Sequence, residues 1–271
     1  MNTLSSFIKQ HRLVSFIVLA YALSWWVPLL NVEGLPPVAA FGPFLAALIV
    51  LGLTEGRSGV KTLLGRMMRW QVGLQWYLIA LGLPILLGGL ASYLAVLLGA
   101  PAPSAEQLGG WPAIFFTFPI VLLVPGLGGA WEEPGWRGYA VHRLEARWSR
   151  LWAMLPLWLI IVVWHLPLFL TGEVEWADVF NMVGGVIVYN WLYHRSGQSV
   201  LLVMIIHAMN NAASGQFFSP MFTGVYSAQQ AWMRVLVWGL VGLIVLVADW
   251  RWWTETGQDV AEEPKPVLKT G

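Results

Sequence analysis

The chain has 271 residues, 58% of them hydrophobic and 11% charged, with a formal net charge of +1. An average soluble domain carries roughly 25% charged residues, so the composition argues against a soluble enzyme and for an integral-membrane bundle. The near-zero net charge argues against a nucleic-acid partner, and the absence of cysteine excludes disulfides, thiol catalysis and cysteine-ligated metal.

Crossing a bilayer takes about 20 apolar residues. Eight runs qualify in chain order: 13–30, 36–54, 75–98, 112–130, 151–170, 177–193, 200–218 and 227–248. Leu-, Val- and Ile-rich runs of this length read as helices, because a barrel strand would alternate with period two. The first run follows Lys9 and Arg12, exceeds a signal-peptide core and lacks a small-x-small cleavage site, so it reads as a retained helix. Many of the 18 tryptophans sit near the ends of these runs, as Trp25, Trp70, Trp111 and Trp250 do, where an interfacial belt would place them. The expected fold is all-α: a polytopic transmembrane helix bundle of about eight spans. Residues 1–250 form a single transmembrane domain, and residues 251–271 a loose cytoplasmic tail.

Orientation follows from charge. With the N-terminus in the cytoplasm and alternating spans, the inner segments hold Arg57, Lys61, Arg66, Arg69, Arg143, Arg147, Arg150, Arg195 and Arg251 among others. The outer segments hold Glu33, Glu106, Glu173, Glu175 and Asp178 and no cation; Arg234 lies within the last span. This is the positive-inside pattern, with both termini cytoplasmic.

The fourth run ends in Pro125-Gly126-Leu127-Gly128-Gly129, a helix-breaking stretch. A new helix starts near Ala130, tolerates Pro134 in its first turn and runs to about Trp148. Irregular backbone at membrane depth needs protein or a water-filled cavity around it. The Glu-Glu motif of Trp131–Tyr139 is therefore expected on a broken or partly embedded helix beside a cavity. Glu133 and Arg137 are four apart and share a helix face, as an ion pair would. Glu132 is turned about 100° away and remains free for chemistry. His165 lies inside the fifth run, next to Pro167. His207 and Asn211 share one face of the seventh, while Asn210 turns elsewhere. Alternation sets Glu132 near the cytoplasmic face, so substrate is expected from that side. His165 then sits roughly 22 Å along a helix from Arg150, and the two depths meet if 131–148 is itself partly embedded or if the fifth helix begins in the cytoplasm.

A carboxylate, two imidazoles and an amide are the inventory of hydrolysis: a base for water, a group that orients it and donors for an oxyanion. Buried polar groups of this kind also suit a membrane transporter, and a non-catalytic membrane scaffold is the third reading. No His-Glu-x-x-His helix, Gly-x-Ser-x-Gly serine or paired buried aspartate is present.

Glu132-Glu133-x-x-x-Arg137, a histidine in the next span and His207-x-x-x-Asn211 resemble the signature of the CPBP family, the CAAX-protease and bacteriocin-processing (Abi) intramembrane endopeptidases, related to the type II CAAX prenyl endopeptidases. The resemblance runs from about Gly126 to Ala213, with a CPBP-like core of about 112–218. One position departs: Ile161 stands where the family often has phenylalanine, four before His165. The resemblance implies that Glu132 is the general base, that His165 holds the water, and that His207 and Asn211 stabilise the oxyanion. Glu133 and Arg137 support the site. It implies a membrane-associated peptide or protein substrate in the bilayer of a bacterial or archaeal cell. It leaves open a divalent metal such as zinc, whose ligands would be Glu132, His165 and His207.

Overall fold

The computed structural model describes residues 3–30 and 36–255, and these contain helices and no strand. Residues 256–271, most of the expected tail, lie outside the described residues. Helix α1 (Thr3–Gln10) precedes the first run, and α2 (Arg12–Ser24) and α3 (Trp26–Leu30) cover it. Then come α4 (Gly42–Thr54), α5 (Gly56–Met67), α6 (Leu74–Leu97), α7 (Ala105–Gly109) and α8 (Ala113–Leu123). A 3-10 turn (Gly129–Glu132), α9 (Glu133–Gly135), a π segment (Trp136–Ala140) and α10 (Val141–Glu145) follow without interruption. The second half holds α11 (Arg150–Trp164), α12 (Leu166–Thr171), α13 (Asp178–Arg195), α14 (Val200–Asn210) with a π extension (Asn211–Phe218), a 3-10 turn (Ser219–Met221), α15 (Val225–Ala248) and α16 (Trp250–Thr254).

Each of the eight apolar runs carries a helix, and three helical stretches are long and apolar enough to cross a membrane: Leu74–Leu97, Val200–Met221 and Val225–Ala248. The outer faces of α6 and α15 expose Leu78, Leu86, Leu97, Leu240, Ile244 and Val247. An apolar surface of that extent suits lipid rather than water. The helical packing continues past residue 250: Trp253 on α16 is fully buried, so residues 251–254 belong to the bundle rather than to a loose tail.

The centre of the bundle is α14, eight of whose eleven residues are buried. Helix α6 packs on one side of it, and the chain from Gly129 to Glu145 on another. Close approach depends on missing side chains. A Cβ on Gly135 would lie 2.5 Å from the backbone of Pro43 in α4, and one on Gly184 would lie 2.6 Å from the backbone of Trp238 in α15. Backbone cannot swing aside as a side chain does. Gly184→Val is therefore expected to separate α13 from α15 and to destabilise the fold by about 1–3 kcal/mol, the range for overpacking. A thermal unfolding midpoint in detergent equal to wild type would contradict this.

Candidate active site

Helix α8 stops at Leu123, and Gly126 and Gly128 follow with φ of +94° and +124°. Such angles are natural only to glycine. They turn the chain so that it restarts as helix at Gly129. From Glu132 to Val141 every residue is buried, so this segment runs through the protein interior. Its winding passes from 3-10 to α to π within twelve residues. Such π segments are frequent at functional sites.

Glu133 is fully buried, and Arg137 meets both its oxygens: Nη1 lies 3.0 Å from Oε1 and 2.7 Å from Oε2. Arg137 Nε donates to Asn190 Oδ1 of α13 at 3.2 Å, and the guanidinium lies over the Tyr189 ring. The same Glu133 Oε1 accepts from Nδ1 of His207 at 2.6 Å. Glu133 thus supports Arg137, as the spacing predicts, and also holds the imidazole of α14.

Glu132 makes a different set of contacts. Its Oε2 accepts from Trp136 Nε1 at 3.1 Å. Its Oε1 faces His207 across Gly129: a Cβ on Gly129 would lie 2.8 Å from Glu132 Oε1 and 2.1 Å from His207 Nε2. The two groups converge on one small volume that only glycine leaves open. Gly128 does the same for the amide of Asn211, whose Nδ2 would be 3.0 Å from a Cβ there.

His165 stands where α11 ends and α12 begins, with Pro167 in the first turn of α12. Its Nδ1 is 2.8 Å from the Ile161 carbonyl, an acceptor, so Nδ1–H donates and Nε2 is left to accept. The contact is to the backbone of Ile161, so isoleucine in place of phenylalanine does not cost it. Glu132, His165 and His207 line one cavity of about 370 Å³.

The cavity brings together every candidate residue: Glu132, Glu133, Arg137, His165, His207 and Asn211. It also includes Asn210, against the expectation that this residue turns away, and Asn210 Oδ1 is buried without a protein partner. The wider winding that begins at Asn211 lets consecutive asparagines share a wall. Sequence reasoning missed Asn190; its signal was an amide in the middle of an apolar run. At the far end of the cavity lie Glu173, Glu175, Asp178 and Arg234, with Asp178 and Arg234 paired at 3.2 Å. Among the described residues no three His, Asp or Glu side chains cluster as the ligands of a metal ion. Glu132, His165 and His207 share the cavity without forming a zinc-type ligand set.

Two comparisons bear on this site. Residues 110–213 match the family model described as type II CAAX prenyl endopeptidase Rce1-like. The chain is 28% identical over 134 residues to CAAX prenyl protease 2 of Methanococcus maripaludis, over 44% of this chain and 49% of that relative. The match thus spans about half the length of the curated relative. The matched segment includes all six candidate residues that line the cavity, and over residues 110–213 the chain is similar to the Rce1-like type II CAAX prenyl endopeptidases.

Proposed function

We propose that the protein is an intramembrane endopeptidase that hydrolyses a peptide bond in a membrane-associated peptide or protein tail. The observation that carries this reading is the convergence of Glu132, His165 and His207 on one buried cavity. Glu132 takes a proton from water as the water oxygen adds to the scissile carbonyl carbon. His165, with Nδ1 committed to Ile161, accepts at Nε2 a hydrogen bond from the O–H that the water retains. The carbonyl oxygen becomes an oxyanion and receives hydrogen bonds from a protonated His207 Nε2 and from Asn211 Nδ2. Glu132 then returns its proton to the departing nitrogen as the carbon–nitrogen bond breaks. Glu133 and Arg137 position the imidazole. Carboxylates and imidazoles suffice for this sequence, and no step passes through a metal.

The same reading assigns eight membrane crossings with both termini cytoplasmic. In it, α8 and the helix from Gly129 to Glu145 form one broken crossing. The break lies at membrane depth, which matches Glu132 to His165. Kinship with CAAX prenyl protease 2 supports a lipid-anchored or membrane-embedded tail as substrate.

Two experiments test the mechanism. With a membrane peptide as substrate, Glu132→Ala should lower cleavage at least about 100-fold, the lower end of acid–base contributions, without lowering the thermal midpoint. Cleavage by wild type should persist in chelator. Full activity of Glu132→Ala would sink the mechanism, and loss of wild-type activity to chelator would require a metal. Gly129→Ala should also cost about 100-fold, because a shift near 1 Å at the reacting groups carries that penalty. Wild-type turnover in Gly129→Ala would show that Glu132 and His207 need not meet across this residue.

A further inference from the structure

We propose that the outer face of α5 is a site for an anionic phospholipid. Arg57 and Lys61 take its phosphodiester headgroup, and the apolar row beside them, continued along α4, takes an acyl chain. The inference is independent of the endopeptidase reading: no residue lines both this groove and the cavity of Glu132.

Helix α5 has two unlike faces. The inner face is fixed to the bundle: Leu63 is buried against Gly138, and Arg66 Nη1 donates to the Gly138 carbonyl at 3.4 Å. The outer face is open, and helical spacing sorts it into two rows. Gly56, Val60, Leu64 and Met68 recur every four residues, and Arg57 and Lys61 stand one position further on in the same register. Together they line a shallow groove of about 640 Å³. Gly52, in the last turn of α4, and Gly65 of α5 line it too. A Cβ at Gly52, Gly56 or Gly65 would meet nothing within 4 Å, so the groove is open over all three.

The charge on this face has no counterpart in the protein. The carboxylates at the basic end of the bundle are engaged elsewhere: Glu55 by Arg12 and Arg143, Glu145 by His194, Asp249 by Arg195 and Glu255 by Arg150. Arg57 and Lys61 are exposed and form no ion pair among the described residues. The first turn of α5, which holds Arg57, has no side-chain cap, and its free N–H groups add partial positive charge. Such a cluster attracts an anionic headgroup.

The apolar row decides between a lipid and a soluble anion. An inorganic anion would use the cations and leave Leu64 and Met68 in water, where both are exposed. At Gly52 the groove runs onto Ile49 and Leu53, exposed on the apolar helix α4. Trp70, two residues beyond Met68, is exposed as well, and tryptophan favours the headgroup level of a bilayer. A phosphodiester with an acyl chain fits both rows at once.

The test uses the full-length protein in detergent, titrated with phosphatidylglycerol, phosphatidylcholine and inorganic phosphate, with bound lipid counted by native mass spectrometry. Phosphatidylglycerol should bind at a concentration about tenfold or more below phosphatidylcholine, and phosphate at equal concentration should not displace it. Arg57→Gln with Lys61→Gln should remove the preference. Arg147→Gln with Arg251→Gln, which neutralises two exposed cations outside the groove, should leave it. Equal binding of the two lipids by wild type, or equal loss in the two double variants, overturns the site. Displacement by phosphate overturns it in favour of a soluble anion. A dimer that only Arg57→Gln with Lys61→Gln abolishes overturns it in favour of a second copy of the chain. None of these outcomes depends on turnover.

Discussion

Glu133 has no exposed surface, and a carboxylate in that position persists only if its charge is matched and its lone pairs are filled. Arg137 supplies the charge from one turn along the same helix. Nδ1 of His207 fills a further lone pair from α14, and Arg137 carries the connection on to Asn190 of α13. One buried carboxylate thereby ties three segments of the chain together. The neighbouring residue inherits its place from this arrangement. Glu132 is rotated a quarter turn away, cannot reach Arg137 and points instead into the cavity, steadied by Trp136. The structural ion pair and the free carboxylate are two consequences of one helical phase.

A charged segment can run through the centre of an apolar bundle only if its backbone comes close to its neighbours, since distance would leave voids around the charges. Glycine at 129, 135 and 138 provides that approach, against His207, Pro43 and Leu63 respectively. The glycines read as helix breakers in the sequence. In the fold, Gly126 and Gly128 break the helix and the others make room. The distinction comes from backbone angle: the first two have positive φ, and Gly129, Gly135 and Gly138 do not.

This difference marks the limit of what the sequence discloses. The pairing of Glu133 with Arg137 was legible because both lie on one helix with a fixed period. So was the helix break, because proline and glycine act locally. The helical nature of the eight runs followed from their length and apolarity. The contact of Glu133 with His207 was not legible, because it joins residues 74 apart and depends on how α9 and α14 cross. Asn210 was misjudged for a local reason: the rotation argument assumes α winding, and the chain changes to π at the next residue. Asn190, an amide among apolar neighbours, stood out only as polarity without a partner.

The proposed hydrolysis also needs water to reach a site that apolar helices surround. The cavity lining answers this through what it leaves unpaired. Asn181, Asn210 and Ser214 each present a buried oxygen with no partner in the protein, and all three line the cavity. A buried polar atom without a hydrogen bond costs about 1–3 kcal/mol, so such atoms persist where water can satisfy them. A space of about 370 Å³ exceeds by several-fold the roughly 30 Å³ that one water occupies in the liquid. The same atoms that a dry core would not tolerate therefore line a space that water can fill, from Glu173 and Glu175 to Glu132. The polar residues that looked scattered along α13 and α14 form one wall of that space, and Glu132 stands where it ends.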